Sequence, residues 1–288
     1  MLVPEGDIFL SSGAFQATSV GAIVDQCDAI GFHNVELSSG LPWSEHIEHE
    51  IIAAATRCRF MVHNYFPAPR EPFVLNLAAR DPGVLQRSRE LCERAIRLCA
   101  AIGSPVYSVH SGFAFEVDPS RLGRRLADAE RYPMRDALGI FIESLQSLCE
   151  YGAARGVTIA IENNVVASMN LIEGENLLLL GATAEELLEI LERVESPQLR
   201  ILVDVGHLKV TARTLGFDPS AFIEQLADRI AVFHLSENDG LTDTNQLFGS
   251  GVWFAELVRK YPRPRRVIES YGLGTEEMKQ ALATTRSL

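Results

Sequence analysis

Acidic residues and histidines stand at or near the ends of several short apolar segments of the chain. Asp204 ends the run ILVD, and His207 follows it three residues later. A carboxylate or imidazole at the end of an apolar segment is partly removed from water and needs a compensating partner. The same pattern recurs along the chain at His63, His110, Glu162, His234 and Glu269.

These side chains could bind a divalent metal ion if they meet. Glu162, Asp204 and Glu269 cannot all stay ionised side by side, partly out of water, without positive charge nearby. The chain places no lysine or arginine at the segment ends among them. Three carboxylates and the imidazole of His234 would form an oxygen-rich ligand set, which suits Mn²⁺ or Mg²⁺ best, with Co²⁺ or Zn²⁺ as alternatives.

For these residues to converge, the apolar segments must be neighbouring parallel strands. Several are continuous runs of Val, Ile, Leu and Phe, which is typical of parallel strands covered on both faces. Eight strands are predicted, at 8–12, 34–38, 60–64, 106–110, 157–163, 201–205, 230–235 and 266–270. The clearest helical patterns between and after them are 84–102, 134–155, 183–194, 252–261 and 274–286.

Eight β–α units predict an α/β fold, a (β/α)8 TIM barrel, with residues 1–288 forming a single domain. The longer connections all follow strands, as expected where the C-terminal face of the barrel carries the site. An open doubly wound sheet is the second candidate. It is disfavoured because no GxGxxG motif follows the first strand and because a helix follows the last.

The positions and roles of some polar and aromatic residues beside the predicted strands are less well determined by the sequence. Glu36, near the end of strand 2, is interpreted as a solvated rim residue or the partner of an arginine. Aromatic residues just past strands 3 and 4 could either line a substrate pocket or cap the barrel; they are Tyr65, Phe66, Phe113 and Phe115. Three histidines in polar surroundings are expected at the surface, namely His33, His46 and His49.

Composition limits the location and the partners. The formal net charge of -12 disfavours broad nucleic-acid binding, which depends on neutralising phosphates. Five cysteines without CxxC spacing indicate free thiols in a reducing cytoplasm. No apolar run approaches the roughly 20 residues of a membrane span, and the first residues do not resemble a signal peptide. We therefore expect a cytoplasmic protein without a membrane partner.

The motifs at the strand ends resemble those of the xylose isomerase-like barrel superfamily. It includes sugar and sugar-phosphate isomerases and epimerases, inosose dehydratase-like enzymes and endonuclease IV-type repair nucleases. The resemblance covers nearly the whole chain and rests on VHNYFP (62–67), VHSG (109–112), IAIENN (159–164), LVDVGH (202–207), FHLSENDG (233–240), DTNQLFGSG (243–251) and VIES (267–270). It implies that the shared metal ligands are Glu162, Asp204, His234 and Glu269.

The resemblance also implies roles for the other histidines. His207 corresponds to a residue that contacts substrate in the epimerases and binds a further metal in the nucleases. His63 and His110 match nuclease-type ligands of a second, zinc-like position, which many isomerase-like members also carry.

The chain departs from both enzyme patterns at specific positions. The nucleases carry Asp-x-His after strand 7, whereas here Asp243 is followed by Thr244 and Asn245. The ketose 3-epimerases carry an arginine after the strand 7 histidine and a second glutamate after the strand 5 glutamate. Gly240 and Ser168 occupy the nearest equivalent places.

The leading hypothesis is a metal-dependent isomerase or epimerase that acts on a small carbohydrate: a sugar, a sugar phosphate or a related polyol. Glu162 and Glu269 would be the catalytic bases, removing and returning a proton next to a carbonyl through a metal-stabilised enediolate. His207, His63 and His110 would contact substrate. Alternatives are an endonuclease IV-like zinc phosphodiesterase, an inosose dehydratase-like lyase and a non-catalytic metal-binding protein. Barrels of this kind often pair, so a homodimer is left open.

Overall fold

Eight parallel strands close into a barrel in the computed structural model of the chain, which describes residues 7–38, 40–121, 124–126 and 128–288. Each strand pairs with the next along the chain, and the last pairs with the first. The predicted (β/α)8 barrel is therefore confirmed, and the open sheet is wrong. The barrel strands are β1 (Ile8–Ser11), β2 (Asn34–Leu37), β3 (Arg59–His63), β4 (Val106–His110), β5 (Thr158–Glu162), β6 (Leu199–Asp204), β7 (Ile230–Leu235) and β8 (Arg265–Ile268).

Helices connect the strands and cover the barrel. All five predicted helices are present, and α5 begins with the capping box in which the Thr183 and Glu186 side chains bond each other's backbone N–H groups. The helices are α1 (Val20–Ile30), α2 (Ile47–Ala54), α3 (Pro82–Ile102), α4 (Met134–Ala153), α5 (Ala184–Val194), α6 (Val205–Leu215), α7 (Pro219–Leu226), α8 (Ala255–Lys260) and α9 (Thr275–Arg286).

Seven apolar side chains, one from each of seven barrel strands, pack together in the barrel interior, and polar side chains lie above them. The apolar layer consists of Phe9, Met61, Val106, Ala160, Leu202, Val232 and Val267. Because side chains alternate along a strand, the residue two positions later faces the same interior, one step closer to the C-terminal mouth. Four polar residues therefore face the interior, each two positions after a residue of the apolar layer: Glu162 after Ala160, Asp204 after Leu202, His234 after Val232 and Glu269 after Val267.

Loops above the mouth have a hydrophobic cluster of their own, separate from the core between barrel and helices. Short strands Phe115–Glu116 and Glu130–Arg131 pair antiparallel within the loop after β4. The backbone N–H of Ala114 donates to Leu178 O at 2.8 Å, which joins this loop to the loop after β5. The members of the loop cluster are Phe115, Leu126, Val166, Leu178, Leu179 and Ala182.

Two expectations from composition can be compared with the described residues. The five cysteines are free, as predicted, and all five are buried. Among the described helices, none combines the length and the apolar character that crossing a membrane requires.

Candidate functional site

The structure brings the four predicted metal ligands together at the C-terminal mouth. Glu162 and Asp204 end β5 and β6, His234 lies in β7, and Glu269 directly follows β8. One ligand atom from each residue lies within 4.8 Å of the others, and all four residues are buried. His234 Nδ1 lies 2.7 Å from Glu269 Oε2, 3.9 Å from Asp204 Oδ2 and 4.0 Å from Glu162 Oε1.

Asp204 uses its two carboxylate oxygens differently. It ends β6 and is also the N-cap of α6, where Oδ1 accepts a hydrogen bond from the His207 N–H at 2.7 Å. The side chain of Asn163 holds the Asp204 backbone through two hydrogen bonds, of 2.8 and 3.1 Å. Asp204 Oδ2 has no hydrogen-bond partner among the described residues. One oxygen therefore fixes the start of the helix, while the other is free to bind a ligand.

The donor set fits a divalent cation. Glu162 Oε2 and Asp204 Oδ2 are buried without a hydrogen-bond partner in the described part of the chain, and such atoms are costly unless something satisfies them. Burial raises the pKa of Glu162 well above its usual range and the pKa of Asp204 to about 7. In the described ion pairs these carboxylates face histidines only. A cation bound by three carboxylates and one imidazole would supply the missing charge.

Glu36 is part of this site, so its interpretation as a solvated rim residue is wrong. It is fully buried, and its Oε2 lies 3.0 Å from His234 Nε2. Glu36 lies opposite Met61 in the β2–β3 register, and Met61 belongs to the interior layer, so Glu36 also points inward. Burial lowers the pKa of His234, but Glu36 and Glu269, one on each ring nitrogen, outweigh it and raise that pKa well above its usual range.

His207 lies beside the four-residue cluster, and its ring is fixed from both sides. Its Nδ1 is 2.9 Å from Asn163 O and 3.2 Å from Glu162 Oε1, and its Nε2 is 3.2 Å from Asp243 Oδ2. Burial would lower the pKa of His207, but the Asp204 and Asp243 carboxylates raise it well above its usual range. Asp243 comes from the loop after β7 and was not assigned to the site from the sequence.

His63 and His110 form a second group with Glu162. Their Nε2 atoms lie 3.4 and 3.3 Å from Glu162 Oε2, and the two imidazole rings are 5.4 Å apart. Ligand atoms of His63, His110 and Glu162 also come within 4.8 Å of one another. Burial lowers the pKa of His63 well below its usual range and that of His110 to about 3. A lowered pKa favours the neutral imidazole, which is the form that binds metal ions.

A cavity of about 570 Å³ opens beside the cluster. His110 and Asp243 line it on the cluster side, and loops after β3, β4, β5 and β7 form the walls. Four aromatics were expected either to line a substrate pocket or to cap the barrel. Of these, Tyr65, Phe113 and Phe115 line this cavity, whereas Phe66 is buried in the core.

Tyr271 is a further neighbour of the cluster that was not assigned from the sequence. Its hydroxyl donates to Glu269 Oε1 at 3.1 Å, and its side chain is about half exposed at the mouth. The sequence feature that could have identified it is its position two residues after Glu269, because a residue so close to the end of a strand lies near the mouth of the barrel.

Comparison with known proteins gives a family match over most of the chain. The family model described as xylose isomerase-like TIM barrel matches residues 24–282. An uncharacterized protein of Methanocaldococcus jannaschii, MJ1311, is 28% identical over 190 residues, which cover 65% of this chain and 56% of that protein. A fructoselysine 3-epimerase of Escherichia coli O157:H7 is 26% identical over 113 residues, covering 39% of this chain and 36% of that protein. The match thus spans less than two thirds of either relative.

A fructoselysine 3-epimerase of Shigella flexneri matches over a longer stretch, at 21% identity over 231 residues, 77% of this chain and 72% of that protein. Among solved structures, a D-tagatose 3-epimerase-like protein aligns with a TM-score of 0.72 at 21% identity, covering 97% of this chain and 96% of its own. The 3-keto-D-glucoside 4-epimerase YcjR of E. coli aligns with a TM-score of 0.71 at 13% identity, covering 98% and 99%. At such identities the structural likeness establishes the fold.

Proposed function

The chain belongs to the xylose isomerase-like TIM barrel family, and from that premise we propose that it is a divalent-metal-dependent sugar epimerase or isomerase. The observation that carries the proposal is the buried cluster of Glu162, Asp204, His234 and Glu269, whose ligand atoms lie within 4.8 Å of one another. Relatives and structural neighbours named as sugar epimerases support the reaction class. The substrate would be a sugar, a sugar phosphate or a related polyol.

The four cluster residues would hold the metal ion. Their oxygen-rich set favours Mn²⁺ or Mg²⁺, with Co²⁺ or Zn²⁺ as alternatives. When bound, a divalent cation polarises a substrate carbonyl and compensates the charge of the surrounding carboxylates.

Glu162 and Glu269 are the proposed bases. They come from β5 and β8, which are separated by two strands, and therefore reach the mouth from different sides. One carboxylate takes the proton from the carbon next to the carbonyl. The C–H electron pair then forms a C=C bond to the carbonyl carbon, and the carbonyl π pair moves onto the oxygen, which gives an enediolate. Return of a proton to the same carbon from the opposite face inverts it, which is epimerisation. Return of a proton to the former carbonyl carbon, with transfer of a proton from the adjacent hydroxyl to the former carbonyl oxygen, gives isomerisation.

His207, His63 and His110 are the proposed substrate contacts. The Asn163 carbonyl fixes His207 through Nδ1, so Nε2 is directed towards Asp243 and the cavity. From that position Nε2 can hold a substrate hydroxyl. His110 also lines the cavity, whereas His63 lies deeper, beneath the mouth.

Proton NMR in D₂O with a panel of ketoses and aldoses tests this function. We expect solvent deuterium to enter the carbon next to the carbonyl, without loss of water. Glu162→Gln and Glu269→Gln should each slow turnover by about 1,000-fold or more, because each removes a proton-transfer group while keeping the side-chain volume. The exposed Glu45→Gln is the matched control, and circular dichroism checks the fold.

Wild-type turnover in both cluster variants would refute the assignment of the bases. Deuterium exchange accompanied by loss of water would instead identify an inosose dehydratase-like lyase.

The second candidate is an endonuclease IV-like zinc phosphodiesterase, and the His63–His110–Glu162 group favours it. His207 also lies 3.2 Å from Asp243, the aspartate that matches the nuclease Asp-x-His motif, but Asn245 stands where that motif has a histidine. The net charge of -12 also opposes binding to nucleic acid. Metal analysis separates the two candidates: one Mn²⁺-like ion per chain favours the epimerase, whereas two or more Zn²⁺ ions with cleavage of abasic-site DNA favour the nuclease.

A further inference from the structure

The cavity beside the cluster changes character along its depth. On the cluster side it is lined by His110 and by Asp243, whose Oδ1 is buried without a hydrogen-bond partner among the described residues. Farther out, its walls are mainly aromatic and aliphatic, as in Phe73, Phe113, Val165 and Leu179. The outer walls therefore offer a ligand more apolar surface than hydrogen-bonding groups.

Three of the polar side chains along the outer walls are hydrogen-bonded to the protein itself. The amide nitrogen of Asn164 donates to three backbone carbonyls, those of Ser111, Gly112 and Leu180, at 2.8 to 3.2 Å. The Asn170 side-chain oxygen accepts from Leu126 N at 2.8 Å, and the Tyr65 hydroxyl accepts from Phe73 N at 2.7 Å. The Tyr65 hydroxyl and the Asn170 amide nitrogen can still donate to a ligand. Arg124 and Thr242 also line the cavity, so the outer walls hold a few polar groups among mainly apolar side chains.

A free monosaccharide fits this space poorly. It carries a hydroxyl on nearly every carbon, and each hydroxyl buried without a partner costs about 1 to 3 kcal/mol. Its ring could stack one C–H face on Phe113 or Tyr65, but its hydroxyl edges would still face apolar walls. The cavity volume of about 570 Å³ lies in the range of pockets that bury drug-sized ligands, which are much larger than one sugar ring.

The walls are held in place before any ligand binds. Phe115, Leu126 and Leu179 belong to the loop cluster above the mouth, and the Phe113 and Phe115 rings stack with centroids 5.3 Å apart. An isolated β-bridge joins Phe113 to Leu179. Because these contacts pre-organise the cavity, a ligand entering it does not have to order the loops.

We infer that the substrate carries an apolar aryl or alkyl substituent on its sugar or polyol part. The substituent lies in the outer cavity, while the carbohydrate part lies against Asp243 and His110 at the cluster. This inference rests on the proposed function and narrows its substrate class from free sugars to sugars that carry such a substituent and still keep a carbonyl next to a C–H group.

Isothermal titration calorimetry on the Mn²⁺-loaded protein tests the inference with methyl, 4-nitrophenyl and octyl β-D-glucopyranosides. These probes share one sugar, differ only in the substituent and, because they have no carbonyl, report binding without turnover. We expect the nitrophenyl and octyl compounds to bind about 10- to 100-fold more tightly than the methyl compound, as burial of one apolar group of that size predicts.

Two cavity variants and one control locate the effect. Met169→Glu and Val165→Asn place polar groups on the cavity wall and should remove the preference for the larger substituents. Met169 is 42% exposed and Val165 is half-buried, so neither substitution disrupts the core. Ile52→Glu is the control, because Ile52 is 43% exposed on α2 and does not line the cavity, so the preference should persist.

Equal binding of the three glycosides to the wild-type protein, or a preference that survives in both cavity variants, overturns the inference. These results can be told apart from failure of the proposed function. Turnover of free sugars without any substituent preference would leave the epimerase standing and remove the inference. A preference that depends on the cavity, in a protein that exchanges no deuterium, would support the ligand class and refute the epimerase.

Discussion

The cluster and the cavity adjoin at the mouth of the barrel, but different parts of the fold build them. The cluster residues lie in, or directly after, parallel strands, so strand register fixes their positions; Asp204 and His234, for example, are register partners. The cavity walls are loops, joined by the loop cluster and by the hydrogen bonds of Asn164. The comparison indicates that the barrel determines the chemistry that is possible, whereas the loops determine the ligand.

Among the variants that distinguish the cluster from the cavity, Asp204→Asn should have the largest effect on Mn²⁺ affinity. The amide can still cap α6 by accepting from the His207 N–H, but it replaces the unpartnered carboxylate oxygen with a weaker, uncharged ligand. We expect Mn²⁺ affinity, measured by isothermal titration calorimetry, to fall by about 100-fold or more, since even outer residues of a metal site cost 10- to 100-fold.

Phe113→Leu, in the cavity wall, is the counterpart of that variant and should leave Mn²⁺ affinity unchanged. Equal losses in the two variants would show that the cluster and the cavity are one coupled unit, contrary to the comparison.

Glu36→Gln should give the next largest effect. Glu36 does not belong to the four-residue cluster, but its Oε2 faces the His234 nitrogen opposite the one that faces Glu269. A carboxylate in that position orients a ligating imidazole and strengthens it as a donor, so its loss should weaken Mn²⁺ binding by about 10- to 100-fold. Glu50→Gln, exposed on α2, is the control. Wild-type affinity in Glu36→Gln would mean that Glu269 and strand packing alone position His234.

Much of the cluster could be predicted from the sequence because strand periodicity is local. Each of Glu162, Asp204, His234 and Glu269 stands two positions after an interior apolar residue, so one parity rule places all four on the same layer. The strand boundaries in the structure differ from those predicted by no more than two residues, and this margin did not change which side chains point inward.

Glu36 and Asp243 are two residues whose place in the site could not be predicted from the sequence. Glu36 also faces inward, but the residue two positions before it is the polar Asn34, so no interior apolar residue marks its side of the strand. Its partner His234 is distant in the chain, and only closure of the barrel brings the two together. Asp243 reaches His207 from a loop, and loop conformation depends on tertiary contacts that no periodic pattern encodes. For the same reason the sequence alone could not decide whether the aromatics after strands 3 and 4 line a pocket or cap the barrel.

Glu186→Ala should give the smallest effect and tests the loop side of the comparison. Glu186 Oε2 accepts from the backbone N–H groups of Ala182, at 2.7 Å, and Thr183, at 3.4 Å, and so anchors the end of the loop that carries Leu179. Losing these bonds should lower the free energy of unfolding by about 1 kcal/mol, measured by urea denaturation, with Mn²⁺ affinity unchanged. Glu192→Ala, exposed on the same helix, should cost less because it removes no cap. If Glu186→Ala also lowers Mn²⁺ affinity, the cluster carried by the strands is not independent of the loops. If Glu186→Ala and Glu192→Ala lose equal stability, the capping box does not hold the loop.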